Sequence, residues 1–176
     1  MSSTSNHGCA IIKLLPSCMA ATWDSCLQRC VAALFKGGVV AIPTDTIYGI
    51  ASLMSDVHRL YDIKNRPREK PVALCVADPN DCRRLANITV PDSLLNDLLP
   101  GPVTLVFNRS CALPSSVNPS HSLVGLRVPD NDFVRSLIKA VGQPLALTSA
   151  NISNTESALY PDRRKLNSKS STKLEI

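Results

Sequence analysis

Aromatic side chains are scarce in this chain: one Trp, three Tyr and three Phe among 176 residues. Stacked-base platforms of the kind used by single-strand nucleic-acid binders are therefore not expected. Histidine is scarcer still, with only His7, His58 and His121. None stands beside an obvious nucleophile, which argues against a Ser-His-acid or Cys-His hydrolase. The seven cysteines (Cys9, Cys18, Cys26, Cys30, Cys75, Cys82 and Cys111) form no C-x-x-C pair and no cysteine–histidine cluster, so a zinc site is not indicated. They suit the reduced thiols of an intracellular protein. No run approaches the ~18 apolar residues of a membrane helix. Residues 9–21 are broken by Lys13 and Pro16 and lack an early basic region. No secretory signal is expected, and the cytoplasm is the default compartment; one lysine is thin support for a mitochondrial leader. No G-x-G-x-x-G or Walker loop is present, so a phosphate site here would be of another kind.

What is present is a chain of 44% apolar residues and near-neutral mean hydropathy, +0.06. That suits one globular domain with its own core. The net charge of +5 is unevenly spread: residues 160–176 hold five basic and two acidic side chains, a surplus of +3. The body is thus only weakly basic, and charge by itself does not establish a polyanionic partner.

Residues 10–15 read as an edge strand ended by Pro16. Leu27, Cys30, Val31, Leu34 and Phe35 paint one face of a helix over 23–36, stopped by Gly37 and Gly38. The all-apolar runs 39–42 and 72–76 suit strands buried on both faces. A short helix between them carries Val57, Leu60 and Tyr61 inward and ends near Lys64. Helical turns are predicted at 80–86 and 92–99, and strands at 103–107, 123–128 and 145–147. A helix capped by Asp130 or Asn131 carries Phe133, Leu137, Ile138 and Val141, and Gly142 closes it. Alternating strands and helices predict a single α/β domain built on a twisted mixed sheet with flanking helices. It is expected to cover residues 22–159, between an N-terminal segment (1–21) and a basic, disordered tail (160–176).

Three polar clusters follow apolar runs, where α/β sheets place ligands. The first, residues 43–49 (Pro-Thr-Asp-Thr-Ile-Tyr-Gly), offers hydroxyls suited to a small zwitterionic substrate; alone it could equally be a polar turn with Asp45 bonded to its own backbone. The second sets Lys64, Arg66, Arg68 and Lys70 within seven residues, interleaved with Pro67 and Pro71. A guanidinium fork and an ammonium both suit phosphate oxygens; the bland alternative is a solvated loop, preferred for Arg68. In the third, Ser149 and Asn151 lie two apart, on one side of an extended chain. Arg127, ending the run before Pro129, could join them or be a surface arginine, just as Ser149 could be a helix cap.

Together these clusters, with Leu99-Pro100-Gly101-Pro102-Val103-Thr104 and Val124-Gly125-Leu126-Arg127-Val128-Pro129, occur in the order found in the YrdC-like family of threonylcarbamoyl-AMP synthases. The chain resembles that family from about residue 22 to about residue 155. The resemblance implies an α/β fold with a cavity on its concave face, and an enzyme that uses L-threonine, bicarbonate and ATP to make threonylcarbamoyl-AMP and pyrophosphate. A downstream transferase complex would pass the threonylcarbamoyl group to tRNA, and family members are linked to double-stranded RNA. It further implies that Thr46 and Tyr48 meet the threonine, and that Leu123 and Leu147 line its pocket. Arg66, Lys70, Arg127, Ser149 and Asn151 would form the nucleotide site. Lys64 would act with Arg66 in catalysis, steadying a carboxylate and developing charge. ATP would be the substrate with Mg²⁺ carried on its phosphates, and no prosthetic group is implied.

Three departures from the family pattern stand out. Cys75 replaces a customary histidine, the segment from Gly49 to Lys64 is shorter, and the chain diverges after Ser153. A chain lacking the family's C-terminal part invites a second expectation: a catalytically incomplete form that binds RNA or a protein partner. A carbamoyl-transfer domain like those of hydrogenase-maturation proteins is disfavoured by the absence of zinc-finger cysteines.

Overall fold

A computed structural model describes residues 20–151, with side chains from Trp23 onward. The expected edge strand at 10–15 and the basic tail at 160–176 lie outside the described residues. Within them, seven strands form one mixed sheet flanked by helices, as the alternation of the sequence predicts. The strands are β1 (Val40–Ile42), β2 (Gly49–Leu53), β3 (Ala73–Cys75), β4 (Ala86–Asn87), β5 (Leu105–Arg109), β6 (Leu123–Arg127) and β7 (Leu145–Ser149). The helices are α1 (Ala20–Phe35), α2 (His58–Lys64), α3 (Cys82–Leu85), α4 (Asp92–Leu98) and α5 (Asp132–Val141). None is long and apolar enough to cross a membrane.

The spatial order is β1-β2-β7-β3-β6-β5-β4, and the pair β3/β6 is parallel while the others are antiparallel. The last strand is thus inserted in the middle. β7 pairs with β2 through Gly49↔Ser149 and Ala51↔Leu147, and with β3 through Ala73↔Leu147. Gly49 allows this close approach: a Cβ there would sit 2.7 Å from Leu147 Cδ1 and 3.2 Å from the Thr148 carbonyl.

Side chains alternate across the sheet, so each face carries its own core. On one face Ile50, Leu74, Val124, Leu126 and Ala146 pack with Leu60, Tyr61, Leu85 and Leu95 of the short helices. On the other, Val40, Ile42, Ala51, Cys75, Leu145 and Leu147 pack with Leu34 of α1 and Phe133, Val134 and Leu137 of α5. Trp23 meets Phe133 edge-on at 5.2 Å between ring centroids, a favoured aromatic geometry. Asn131, rather than Asp130, caps α5, its Oδ1 accepting the Val134 N–H at 3.2 Å. Gly142 ends the helix at φ 75°, a left-handed conformation that glycine adopts without Cβ strain.

Two differences from the sequence expectations bear on the site. Strand β2 was not anticipated, because Gly-Ile-Ala-Ser-Leu has little β-branched character; its five residues are nevertheless all buried. The strand expected at 103–107 forms two residues later, which leaves Thr104 in the approach to β5 rather than in the ladder.

Candidate active site

The β1–β2 connection carries the first polar cluster and folds around its own hydroxyls. Thr44 Oγ1 donates to the Ile47 carbonyl at 2.7 Å and accepts the Thr46 N–H at 3.2 Å. Tyr48 O accepts the Ala150 N–H at 2.9 Å, tying this loop to the end of β7. Asp45 does not serve its own backbone, the bland alternative for this turn. Its Oδ1 accepts from Arg127 Nη2 at 2.9 Å and its Oδ2 from the Asp130 N–H at 3.1 Å. Arg127 and Asp45 are largely buried, at 14% and 7% side-chain exposure, so neither group is a surface charge. Arg127 Nη2 also reaches Thr46 Oγ1 at 3.3 Å. Arg127 Nε is buried without a partner among the described residues.

The Lys-Asn-Arg cluster works because a helix ends inside it. Lys64 is the last residue of α2, and Asn65 takes the left-handed conformation at φ 48°, which asparagine tolerates better than most residues. The Arg66 N–H closes the turn on the Tyr61 carbonyl at 2.9 Å. Lys64 consequently faces inward, 3% exposed, while Arg66 leaves the helix in another direction. The Lys64 ammonium sits among oxygens of the β7 terminus: Ser149 Oγ at 3.0 Å, Asn151 Oδ1 at 3.3 Å, Thr148 Oγ1 at 3.4 Å, and the Ser149 carbonyl. Burial, and then the nearby Arg66 guanidinium, lower its pKa from 10.5 to about 8. Arg66 donates from Nε to the Lys70 carbonyl at 3.2 Å and from Nη2 to the Pro71 carbonyl at 2.8 Å. A guanidinium has five N–H groups, so donors remain for a ligand. Arg68 instead pairs with exposed Asp62 at 3.1 Å and lies over the Tyr61 ring.

These pieces enclose a cavity of about 240 Å³ lined by Thr44, Tyr48, Arg66, Thr104, Arg127 and Ser149 above a floor that includes Gly49, Ala73 and Leu147. Small residues keep that floor low. A Cβ on neighbouring Gly125 would stand 3.0 Å from Thr104 Cγ2 and 3.9 Å from Ala73 Cβ. Cys75, paired with Arg127 across the β3/β6 ladder, is fully buried, and that burial pushes its thiol up to about 12. It is therefore a packing thiol and not a nucleophile.

Of the expected residues, Tyr48, Arg66, Arg127, Leu147 and Ser149 line this cavity. Lys64 and Asn151 stand outside the lining and join it through Ser149; Thr46 stands outside it and touches Arg127. Lys70 is exposed and contributes its carbonyl to Arg66. Leu123, at the start of β6, is 47% exposed and outside the lining. Sequence reasoning passed over Asp45, Thr104 and Thr148 as individual contributors. The signal for Asp45 was an acid flanked by two threonines with one arginine closing a distant strand, a pairing across 82 positions.

The chain is similar to a set of known proteins. The chain is 46% identical over 140 residues to the threonylcarbamoyl-AMP synthase of Bos taurus, covering 78% of this chain and 51% of that protein. It thus spans about half the length of the curated relatives it matches. Its fold superposes on P. abyssi Sua5 complexed with L-threonine with a TM-score of 0.68, at 29% identity, over 74% of this chain and 40% of that one. E. coli YciO shares the fold with a TM-score of 0.73 at 22% identity, over 86% of this chain and 77% of that one. The Sua5/YciO/YrdC family, described as "Telomere recombination", matches residues 32–174. With that match over most of its length, and with the cavity framed by the same ordered clusters, this chain belongs to the Sua5/YciO/YrdC family.

Proposed function

We propose that this chain carries the nucleotide- and threonine-binding domain of an L-threonylcarbamoyladenylate synthase, with L-threonine, bicarbonate and ATP as substrates. The observation that carries the reading is the convergence of Arg66, Arg127 and Ser149 on one cavity, with Lys64 bonded behind Ser149. In the proposed reaction the carboxylate oxygen of N-carboxythreonine attacks the α-phosphorus of ATP. The new O–P bond gives threonylcarbamoyl-AMP, and pyrophosphate leaves with the electron pair of the broken bond. Two anions must meet, so fixed cations are what the site has to supply.

Arg66 is suited to the phosphates, because its guanidinium is already held by two carbonyls and loses little freedom on binding. Arg127, which the resemblance places with the nucleotide, is held by Asp45 beside Thr46, and we assign it to the threonine carboxylate instead. Tyr48 and Leu147 shape the pocket, with Thr46 beside it. Ser149 and Asn151, ordered by Lys64, suit the nucleotide, and Lys64 acts in catalysis by holding that pair and adding positive charge. Lys70 and Leu123 are proposed as nucleotide and threonine contacts at the rim.

The described residues do not fit a protein-held divalent ion. No group of three or more His, Cys, Asp or Glu gathers among the described residues, and Asp45 has both oxygens committed. An ion carried by ATP would be held by its phosphates, and no step here passes through one. The product would be handed to a transferase acting on tRNA.

The test is pyrophosphate release by the full chain. Dependence on both L-threonine and bicarbonate, with collapse in Arg66→Ala, supports the synthase. Absence of turnover together with tight duplex-RNA binding would replace it with a binding module.

A further inference from the structure

The β5–β6 connection, residues 110–122, is wound around one guanidinium. Arg109, at the end of β5, donates from Nη1 to the carbonyls of Val117 at 3.1 Å, Asn118 at 3.1 Å and His121 at 3.3 Å. Its Nη2 donates to those of Leu113 at 3.2 Å and Pro114 at 2.8 Å. Five carbonyls converging on one rigid fork fix the shape of the connection.

That shape turns Asn118 inward. The residue is 1% exposed and held at φ 48°. Its Oδ1 accepts the Val72 N–H at 3.0 Å and the Tyr61 O–H at 3.3 Å, and its Nδ2 donates to the Val72 carbonyl at 2.9 Å. The amide therefore serves Val72 as a strand would, immediately before β3 begins. His121 Nε2 lies 2.7 Å from the Glu69 carbonyl. The segment that follows Arg66 is pinned at Glu69 and at Val72. Between those pins lie Lys70 and Pro71, whose carbonyls hold the Arg66 guanidinium.

We infer that Asn118 is a positioning residue for Arg66: its side-chain amide sets the place of the Lys70 and Pro71 carbonyls, and through them the aim of the guanidinium into the cavity. The inference rests on the reading of that cavity as a nucleotide site. Asn118 is not itself part of the cavity lining and meets it only through the Val72 backbone, beside Pro71, so its effect passes along that segment to Arg66 and spares groups held elsewhere. Arg127, fixed by Asp45 on the far side, is one such group.

Calorimetric titration of the full chain with ATP, and separately with L-threonine, tests this. Asn118→Ala is expected to weaken ATP at least tenfold and leave L-threonine within twofold. In an Arg66→Ala background the same change is expected to add nothing further, because two residues acting as one unit are not additive. Asn118→Asp keeps the acceptor and, when protonated, regains a donor for the Val72 carbonyl. Burial at this 1% exposed position raises a carboxyl's pKa, so this variant's ATP affinity relative to wild type should recover as the pH falls from 8 to 5, whereas that of Asn118→Ala should not. Equal losses for ATP and L-threonine, or full additivity with Arg66→Ala, would overturn the inference. Should Asn118→Ala fail to fold, Asn118→Asp carries the same comparison. Should wild type bind no ATP, the function reading fails by itself. Amide exchange at Arg66 and Lys70 then decides: faster exchange in Asn118→Asp at pH 8 upholds the positioning, and unchanged exchange refutes it.

Discussion

Lys64 should make this protein more stable and less active over the same rise in pH. The buried ammonium has a pKa near 8, against 10.5 for an unperturbed lysine. Below about pH 8 both folded and unfolded chains hold the proton, and the folded state carries the cost of burying the charge. Above it the folded chain releases the proton while the unfolded chain retains it. The unfolded state then binds more protons, so stability rises with pH. Integrated from pH 7 to pH 9, that linkage amounts to about 1.3 kcal/mol, or a Tm increase of about 3 to 5 °C for a chain of this size. Within the same window two buried thiols work the other way, which is why the lysine contribution has to be isolated by difference. Cys75 and Cys82, raised by burial to about 12 and about 11, stay protonated in the fold where unfolded thiols ionise. Activity should fall across the same interval. A neutral amine has two N–H groups and a lone pair, and it would face the four oxygens of Thr148, Ser149 and Asn151 with one donor fewer. The assay is thermal unfolding of wild type and Lys64→Met at several pH values, with pyrophosphate release measured alongside. Subtracting the variant removes the thiols and every other titrating group. A difference that stays flat from pH 7 to pH 9, or that falls, would refute the reasoning.

Arg66→Ala should lower kcat/KM by ~100-fold or more, whereas Arg68→Ala should stay within about threefold, because Arg68 makes an exposed ion pair of small net worth; equal effects in the pyrophosphate assay would remove Arg66 from the site. Asp45→Asn leaves Arg127 with a weaker acceptor in a nearly buried setting and should cost about 1–3 kcal/mol of stability, read by urea unfolding, together with a raised KM for L-threonine. Gly125→Val puts side-chain bulk against Thr104 and Ala73, two residues that line the cavity. It should raise the KM for L-threonine with little change in unfolding midpoint, and an unchanged KM would show that this part of the lining does not contact the substrate.

Much of the fold was legible from local pattern. The helical face carrying Leu27, Cys30, Val31 and Leu34, the glycine stops at Gly37 and Gly142, and the apolar runs that became β1, β3, β6 and β7 each follow from periodicity and chain-ending chemistry. β2 was not legible: Ala51 and Ser52 have little intrinsic preference for a strand, and the segment is extended because β1 and β7 pair with it on either side. The loop at 110–122 offered no signal either, since the role of Asn118 depends on where Arg109 gathers the surrounding carbonyls.

By itself the sequence determined which chemistry was available and where along the chain it lay: hydroxyls at 44 and 46, cations at 64, 66 and 127, and the Ser/Asn pair at 149 and 151. Tertiary structure decided how those groups were used. Inserting the last strand between β2 and β3 carried Ser149 to Gly49 and into reach of Lys64, so that a lysine readable as a phosphate contact became the tie for a strand end. It also brought Asp45, readable as the acid of a polar turn, to Arg127, readable as a surface arginine, and made them a nearly buried pair. Such pairings span more than 80 positions, and nothing local encodes them; they exist because the apolar faces of distant strands can be buried only in that order.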